Sequence, residues 1–378
     1  LFDGVLPNQV AYETIELPVD KYVSGLSDVK LSNTIDFILS GGKNDIRARE
    51  TNLGNLVADS QLWIAQKYAV EKNAPVADVA LANGGGIRDS INHSGTSNYQ
   101  VNLNDTYSVL PFGNIVSVVP DVTSSEFKLL LENAYSKTLL SNGSPIRSGD
   151  GTGRFAQIAG FKVEYDITAN PMVMDENGFV TQVGVRVVNA TLNNGTKIIE
   201  NGMPVDGLVL NVAIVDFLVD NKGDQYFSFR TDAVENVKLG FTYQSALAEY
   251  IFDGLEGDLS KYSSIDGRIK FDAQASADTT QATNTNAFFS SATVQEGDWK
   301  NLPWFGTFWD KEFPWVYHAE HGWLYAGGTG GVSMWFYDLE IGWWWTNQQY
   351  YPYIYLDSEK DWIFYQPNSD SINRFFYF

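Results

Sequence analysis

Four short stretches bring together residue types that can hold an anion and a flat ring. Asn83 to Arg88 reads NGGGIR: the glycines after a short apolar run let the backbone approach a ligand closely, and Arg88 offers a planar fork suited to phosphate or carboxylate. An ordinary strand-ending turn with a solvated arginine reads equally well from these residues alone. Ile46 to Leu56 reads IRARETNLGNL and sets Arg47 and Arg49 just ahead of a helix start, where unpaired backbone N–H groups favour anions; two surface arginines are the competing reading. LPFGN presents Phe112 on a proline turn, and DFLVDNKGD ends a strand with Phe217 before a polar loop that closes on Asp224. Taken singly each ring suits a core, whereas taken as a pair they suit the two faces of a base.

Other chemistries find less support. The chain has no cysteine, which excludes disulfides, thiolate–zinc sites and thiol nucleophiles. Its only histidines are His93, His318 and His321, too few for a pair of catalytic metal ions, and no Asp-x-His or Asn-His-Asp cluster is present. His318 and His321 flank a hairpin turn, where a solvated turn is the expected setting and a metal site the alternative. The acidic stretches DENG and SGDGTG read as turns, since neither has EF-hand spacing. A net charge of −21 argues against binding to nucleic acid or anionic membranes, so an anionic ligand must be held by a few locally placed arginines. No apolar run reaches the length of a transmembrane helix.

These side chains need a scaffold of alternating helices and strands. Leu53, Leu56, Val57, Trp63, Ile64 and Tyr68 fall on one stripe behind Thr51 and Asn52, predicting a helix from about 52 to 72. ADVALA at 77–82 predicts a strand ending in the glycine turn. Thr123 followed by Glu126 is a capping-box pattern that opens a second helix. Segments at 161–165, 183–188 and 209–215 read as strands and 245–255 as a helix. The mixture over 46–273 argues an α+β domain, with 1–45 a leading segment packed on it and the polar stretch 274–296 a linker. Beyond it the composition changes, for ten of the eleven tryptophans lie between Trp299 and Trp362. Aromatics recur at i and i+2 in paired runs, Trp315/Tyr317 with Trp323/Tyr325, Trp335/Tyr337 with Trp343/Trp345, and Tyr353/Tyr355 with Trp362/Phe364. This spacing predicts a small all-β module at 297–378 of three hairpins, each with an aromatic face.

The order of the motifs resembles one family. RxRETNLGNL, NGGGIR, LPFGN, GRFAQIAGFKVEYD at 153–166 and the Asp-Phe-Leu with its Gly-Asp look like the C-terminal domain of the 5'-nucleotidase/UDP-sugar hydrolase family, over about residues 30 to 272. The resemblance implies a domain that recognises a nucleoside and helps to hold its phosphate, while a separate N-terminal metallophosphatase domain supplies two divalent metal ions. It carries phosphate or ribose contacts to Arg47 and Arg88 and the head of the glycine turn to Asn83. It carries the base-sandwiching rings to Phe112 and Phe217 and the ribose-bonding carboxylate to Asp224, with Arg49 beside the set. One departure bears on Asp224. Asn221-Lys222-Gly223 stands where the family has Gly-Gly before the aspartate, so a turn that needs a positive φ at Lys222 would have to be rebuilt.

The hairpin module somewhat resembles aromatic repeats of bacterial wall-binding and choline-binding proteins. Together these features lead to the expectation of the nucleotide-recognition portion of an exported bacterial hydrolase, periplasmic, cell-surface or extracellular, inactive by itself and without a cofactor of its own. The sequence starts at Leu1 with no leader pattern, which points to a processed chain or a fragment. The alternative is a structural, adhesive or filament-forming protein that keeps the fold and uses 297–378 for self-association or for cell-wall glycan.

Overall fold

The computed structural model describes residues 17–378 apart from 150, 175–179, 183, 206, 227–235, 273–288, 290, 312, 314, 328–332, 339–340, 357–360, 368–375 and 378. The first part of the leading segment, the DENG turn and most of the expected linker therefore lie outside the described residues.

A five-stranded sheet organises the first part of the chain, in the order Val237–Thr242, Ile115–Thr123, Val209–Val215, Val79–Asn83, Ala156–Ala159. Val209–Val215 runs parallel to Val79–Asn83 and antiparallel to Ile115–Thr123, and the two outer strands are each antiparallel to their neighbour. That alternation decides where loops gather. The chain leaves the sheet after Asn83, Val215 and Thr242 at the same edge at which it enters before Ile115 and Ala156. Segments far apart in sequence thus meet at one rim.

The helix Asn52–Lys67 covers this sheet. Thr51 caps it by accepting a bond from the Gly54 N–H, and Leu53, Leu56, Val57 and Ile64 are wholly buried along the predicted stripe. The helix ends sooner than the apolar pattern suggests, because the chain turns from Tyr68 onward. The second predicted helix, Ser124–Tyr135, has both halves of its capping box, Thr123 and Glu126. All of its residues are buried, and Lys128 and Glu132 are paired inside at 2.6 Å. Glu132 also accepts the backbone N–H groups of Arg186 and Val187, which satisfies a carboxylate that has no access to water.

Three residues of the ETN stretch turn out to be structural. Glu50 accepts from Asn55 Nδ2 at 2.7 Å and from the backbone of Asp266, Gly267 and Ile269. Asn52 bonds the carbonyls of Ile38 and Tyr262, and the Thr51 N–H is held by Gln157. A Cβ on Gly54 would lie 2.2 Å from the Gln157 side chain, so only glycine fits there. A second five-stranded sheet follows the order Met203–Pro204, Lys197–Glu200, Val187–Leu192, Phe161–Asp166, Ile269–Asp272. The strand expected at 183–188 is displaced toward the C-terminus, to Val187–Leu192. Lys30–Ile35 of the leading segment pairs with Tyr99–Asn102.

Among the described residues between Thr293 and Tyr377, ten strands form one antiparallel sheet in sequential order. The predicted pairs are in register: Trp315 faces Tyr325 and Tyr317 faces Trp323, Trp335 faces Trp345 and Tyr337 faces Trp343, Tyr353 faces Phe364 and Tyr355 faces Trp362. The three hairpins are not separate units, since each also pairs with the next, and a further hairpin, Trp299–Leu302 with Gly306–Trp309, precedes them. The core of this sheet lies on the face opposite the aromatic stripe and is built from Val316, Leu324, Met334, Phe336, Trp344, Ile354 and Ile363. Phe305 meets Tyr351 at 5.5 Å between ring centres although the nearest strands flanking their turns, Gly306–Trp309 and Gly342–Asn347, are four strand steps apart. A flat sheet would hold those two strands roughly 19 Å apart and the rings at least as far, so the sheet curls over its own core.

His318 and His321 sit inside that curl, only 1% and 3% exposed, which corrects the expectation of a solvated turn. The Nδ1 of His318 accepts the N–H groups of Glu320 and His321, and its Nε2 donates to the Phe305 carbonyl. Both ring nitrogens are committed to the fold. Part of the aromatic face is covered as well: Trp315 and Tyr325 pack on Leu129 and Met172, flanked by Trp323, Tyr337 and Trp343. The sheet is thereby joined to the buried helix Ser124–Tyr135.

Candidate functional site

The rim of the first sheet carries most of the expected residues. Asn83 is the last residue of its strand, and the glycines that follow are pressed against protein backbone. A Cβ on Gly84 would fall 2.4 Å from the Ile46 carbonyl oxygen, and one on Gly85 2.9 Å from Gly153 Cα. The glycine turn thus lets three chain segments approach one another, with the Gly84 N–H donating to Phe155 O and the Gly85 N–H to Gly153 O. The close approach that glycine allows is made here to protein backbone.

Two arginines converge on this turn. Arg47 Nη2 lies 3.5 Å and Arg88 Nη1 3.0 Å from the same acceptor, the Gly85 carbonyl oxygen. Arg47 is half-buried, and its Nε is shielded from water without a hydrogen-bond partner among the described residues. Burial and then the neighbouring charge of Arg88 weaken its hold on its proton, Asp224 acts in the opposite sense, and Arg147 adds to the first effect. Such a set favours an incoming anion. Arg49 does not join it. Its half-exposed side chain turns instead to Asp45, with Nε 3.2 Å from Oδ1.

Asp224 does reach the set. Lys222 adopts φ 52°, so the lysine that replaces the family's first glycine accepts the left-handed backbone, and Asp224 and Gln225 follow with 53° and 59°. Asn83 Nδ2 donates to Asp224 Oδ2 at 2.6 Å. The other oxygen, Oδ1, has no donor among the described residues. Burial pushes the carboxyl pKa up, against the Asn83 bond and the charges of Arg154 and Arg47.

Phe217 and Phe112 flank this centre without touching each other. Phe217 is half-buried in the short helix Asp216–Val219, and Gly223 is packed so closely on it that a Cβ would stand 2.3 Å from ring atoms. Phe112 is 45% exposed and lies under the Arg88 guanidinium, 5.5 Å from its ring centre. The loops of the two rings are tied together by the Ile115 N–H, which donates to Asp216 Oδ1 at 2.9 Å.

Sequence reasoning missed the residues that hold the arrangement. The Tyr243 hydroxyl bonds both the Gly86 carbonyl and the Phe112 N–H, and burial raises its pKa to about 12. Arg154, 5% exposed, joins Gly151, Asn133, Ser136 and Gln225. Arg154 lies within a motif visible in the sequence, but apart from Gly151 its partners are 18 to 71 residues away, and no local spacing reveals them.

The family model for the 5'-nucleotidase C-terminal domain matches residues 31–228, the stretch that builds this rim. The chain belongs to that family. It is 31% identical over 256 residues to the trifunctional nucleotide phosphoesterase protein YfkN of Bacillus subtilis, covering 67% of this chain and 15% of that protein. To the 5'-nucleotidase of Rattus norvegicus it is 28% identical over 251 residues, covering 65% of this chain and 38% of the relative. Among solved structures, a 5'-nucleotidase precursor from Thermus thermophilus is similar at 26% identity and a TM-score of 0.49, over 70% of this chain and 44% of that one. The chain therefore spans less than half the length of each of these relatives.

Proposed function

We propose that this family member recognises a nucleoside or nucleotide at the rim of its first sheet, as the substrate-holding part of a phosphoester hydrolase. The observation that carries the reading is the gathering of different contacts around one glycine turn. Arg47 and Arg88 supply cationic donors, Asp224 Oδ1 an unsatisfied acceptor, and Phe217 and Phe112 two aromatic faces that do not meet. A phosphate, a ribose diol and a base carry the complementary groups. The names of the relatives, a nucleotide phosphoesterase and a 5'-nucleotidase, agree with it.

A phosphoesterase of this family type draws its hydrolytic power from two divalent metal ions. The residues present do not fit such a centre: among the described residues no three His, Cys, Asp or Glu side chains are grouped to hold an ion, and both nitrogens of His318 are engaged. No hydrolytic step is assigned to this chain, and the proposal places the metals in a separate metallophosphatase domain, in a protein that works outside the cytoplasm. Among the described residues no helix is long and apolar enough to cross a membrane.

Calorimetric titration with adenosine, AMP and UDP-glucose tests the reading, with Phe217→Ala as control. Binding without metals is expected to be weak, with Kd on the order of 0.1 to 1 mM, or roughly 4 to 5.5 kcal/mol. Heat that requires the nucleoside and vanishes in Phe217→Ala supports it. No heat with any of these ligands overturns it and leaves the scaffold alternative.

A further inference from the structure

The loop that carries Asp224 is held in a conformation it would not adopt by itself. Lys222, Asp224 and Gln225 all have left-handed φ values, 52°, 53° and 59°, within four positions. Each such residue with a side chain costs free energy, so surrounding contacts must over-determine the loop. Those contacts converge on one buried cation. Arg154 Nη2 donates to Gln225 Oε1, and the Arg154 carbonyl accepts the Tyr226 hydroxyl at 2.8 Å. Its Nη1 donates to Asn133 Oδ1 at 3.1 Å, which orients that amide so that Asn133 Nδ2 donates to the Asp224 carbonyl at 3.2 Å. The Arg154 Nε is fixed on the Gly151 carbonyl, closing the turn whose Gly153 lies directly against the Asp224 carboxylate.

We infer that Arg154 is the positioning residue of the sugar subsite, holding the 222–226 loop so that Asp224 presents one free, ionised oxygen to the vicinal hydroxyls of a ribose. The inference rests on the proposed nucleoside recognition and on the ribose contact that the family resemblance carries to Asp224, and adds to them the residue that maintains that contact. Arg154 makes no ion pair with Asp224, so it acts through the loop and through its charge. The groups facing the Asp224 carboxyl are Asn83, Arg47, Arg154 and Tyr226; without the Arg154 charge, burial has less to oppose it and the carboxyl keeps its proton to higher pH. A protonated Asp224 is a poorer acceptor for two hydroxyl donors, so preference for the diol develops only above its pKa.

The test compares adenosine with 2′,3′-dideoxyadenosine across pH, for wild type, Arg154→Gln and Gln225→Ala, beside a carbon-13 titration of the Asp224 carboxyl without ligand. In wild type adenosine is expected to bind about tenfold more tightly than the dideoxy ligand at neutral pH. Arg154→Gln removes that preference, moves the Asp224 titration to higher pH and leaves the dideoxy affinity in place. Gln225→Ala, which keeps the buried guanidinium and serves where Arg154→Gln does not fold, lowers the preference without moving the titration. Equal loss of both ligands with an unmoved titration shows a merely structural Arg154 and overturns the inference, as does full preference in both variants. If wild type binds neither nucleoside, the recognition reading fails, while the ligand-free titration still shows whether Arg154 acts on Asp224.

Discussion

The contact between Gly223 and Phe217 offers a sharp test of how the candidate site is built. Gly223 does not have a positive φ, so replacing it with alanine is free of backbone strain, and the only obstacle is the 2.3 Å approach of the new Cβ to the ring edge. Carbon atoms prefer about 3.5 to 4 Å, so the ring or the loop must give by more than 1 Å. Overpacking of this kind costs about 1 to 3 kcal/mol, part of it as an off-rotamer phenylalanine. Gly223→Ala is therefore expected to lower stability by that amount in urea unfolding and to abolish adenosine heat, because Phe217 and Asp224 are displaced together. In a Phe217→Ala background the obstacle is gone, and the same substitution should cost less than about 0.5 kcal/mol, so nearly the whole penalty appears as coupling in a double-mutant cycle. A penalty that persists without the Phe217 ring would refute the geometry.

Other consequences reach the scaffold. Glu50→Gln replaces one acceptor of the buried four-donor cluster by an N–H₂ and should cost about 2 to 3 kcal/mol in chemical unfolding, with nucleoside affinity unchanged. Asp266 is held below its ordinary pKa: burial works against the charge, but the Arg268 guanidinium at 2.9 Å outweighs it. Its contribution to stability is thus present above the unfolded carboxyl pKa and lost as pH falls through the folded one. Thermal unfolding followed from pH 5 downward should show an acid loss that is smaller in Asp266→Asn. Trp315→Ala removes a ring that is 1% exposed between the hairpin sheet and Leu129; about 3 to 5 kcal/mol of packing is lost, and calorimetry should resolve two unfolding transitions in place of one.

Local patterning determined a good deal of this protein. The caps at Thr51 and Thr123, the strand that ends at Asn83 and the pairing of the aromatic runs all follow from spacing within about twenty residues, where helix and hairpin periodicity act. The order of motifs along the chain was enough to indicate the family. The sequence could not tell that Glu50, Thr51 and Asn52 hold the scaffold while Arg47, three residues earlier, faces the rim, because each of these roles depends on partners more than a hundred residues away or on the path of one short helix. Tertiary structure also decided which side of the aromatic stripe became core. Period-two alternation marks two faces of a sheet but does not say which is covered, and here the curl of ten strands buries His318 and Trp344 while Trp315 turns toward another helix. Arg154 is the clearest case: one charge among many in the sequence, it acquires its role only where the rim brings Asn133, Gln225 and Asp224 around it.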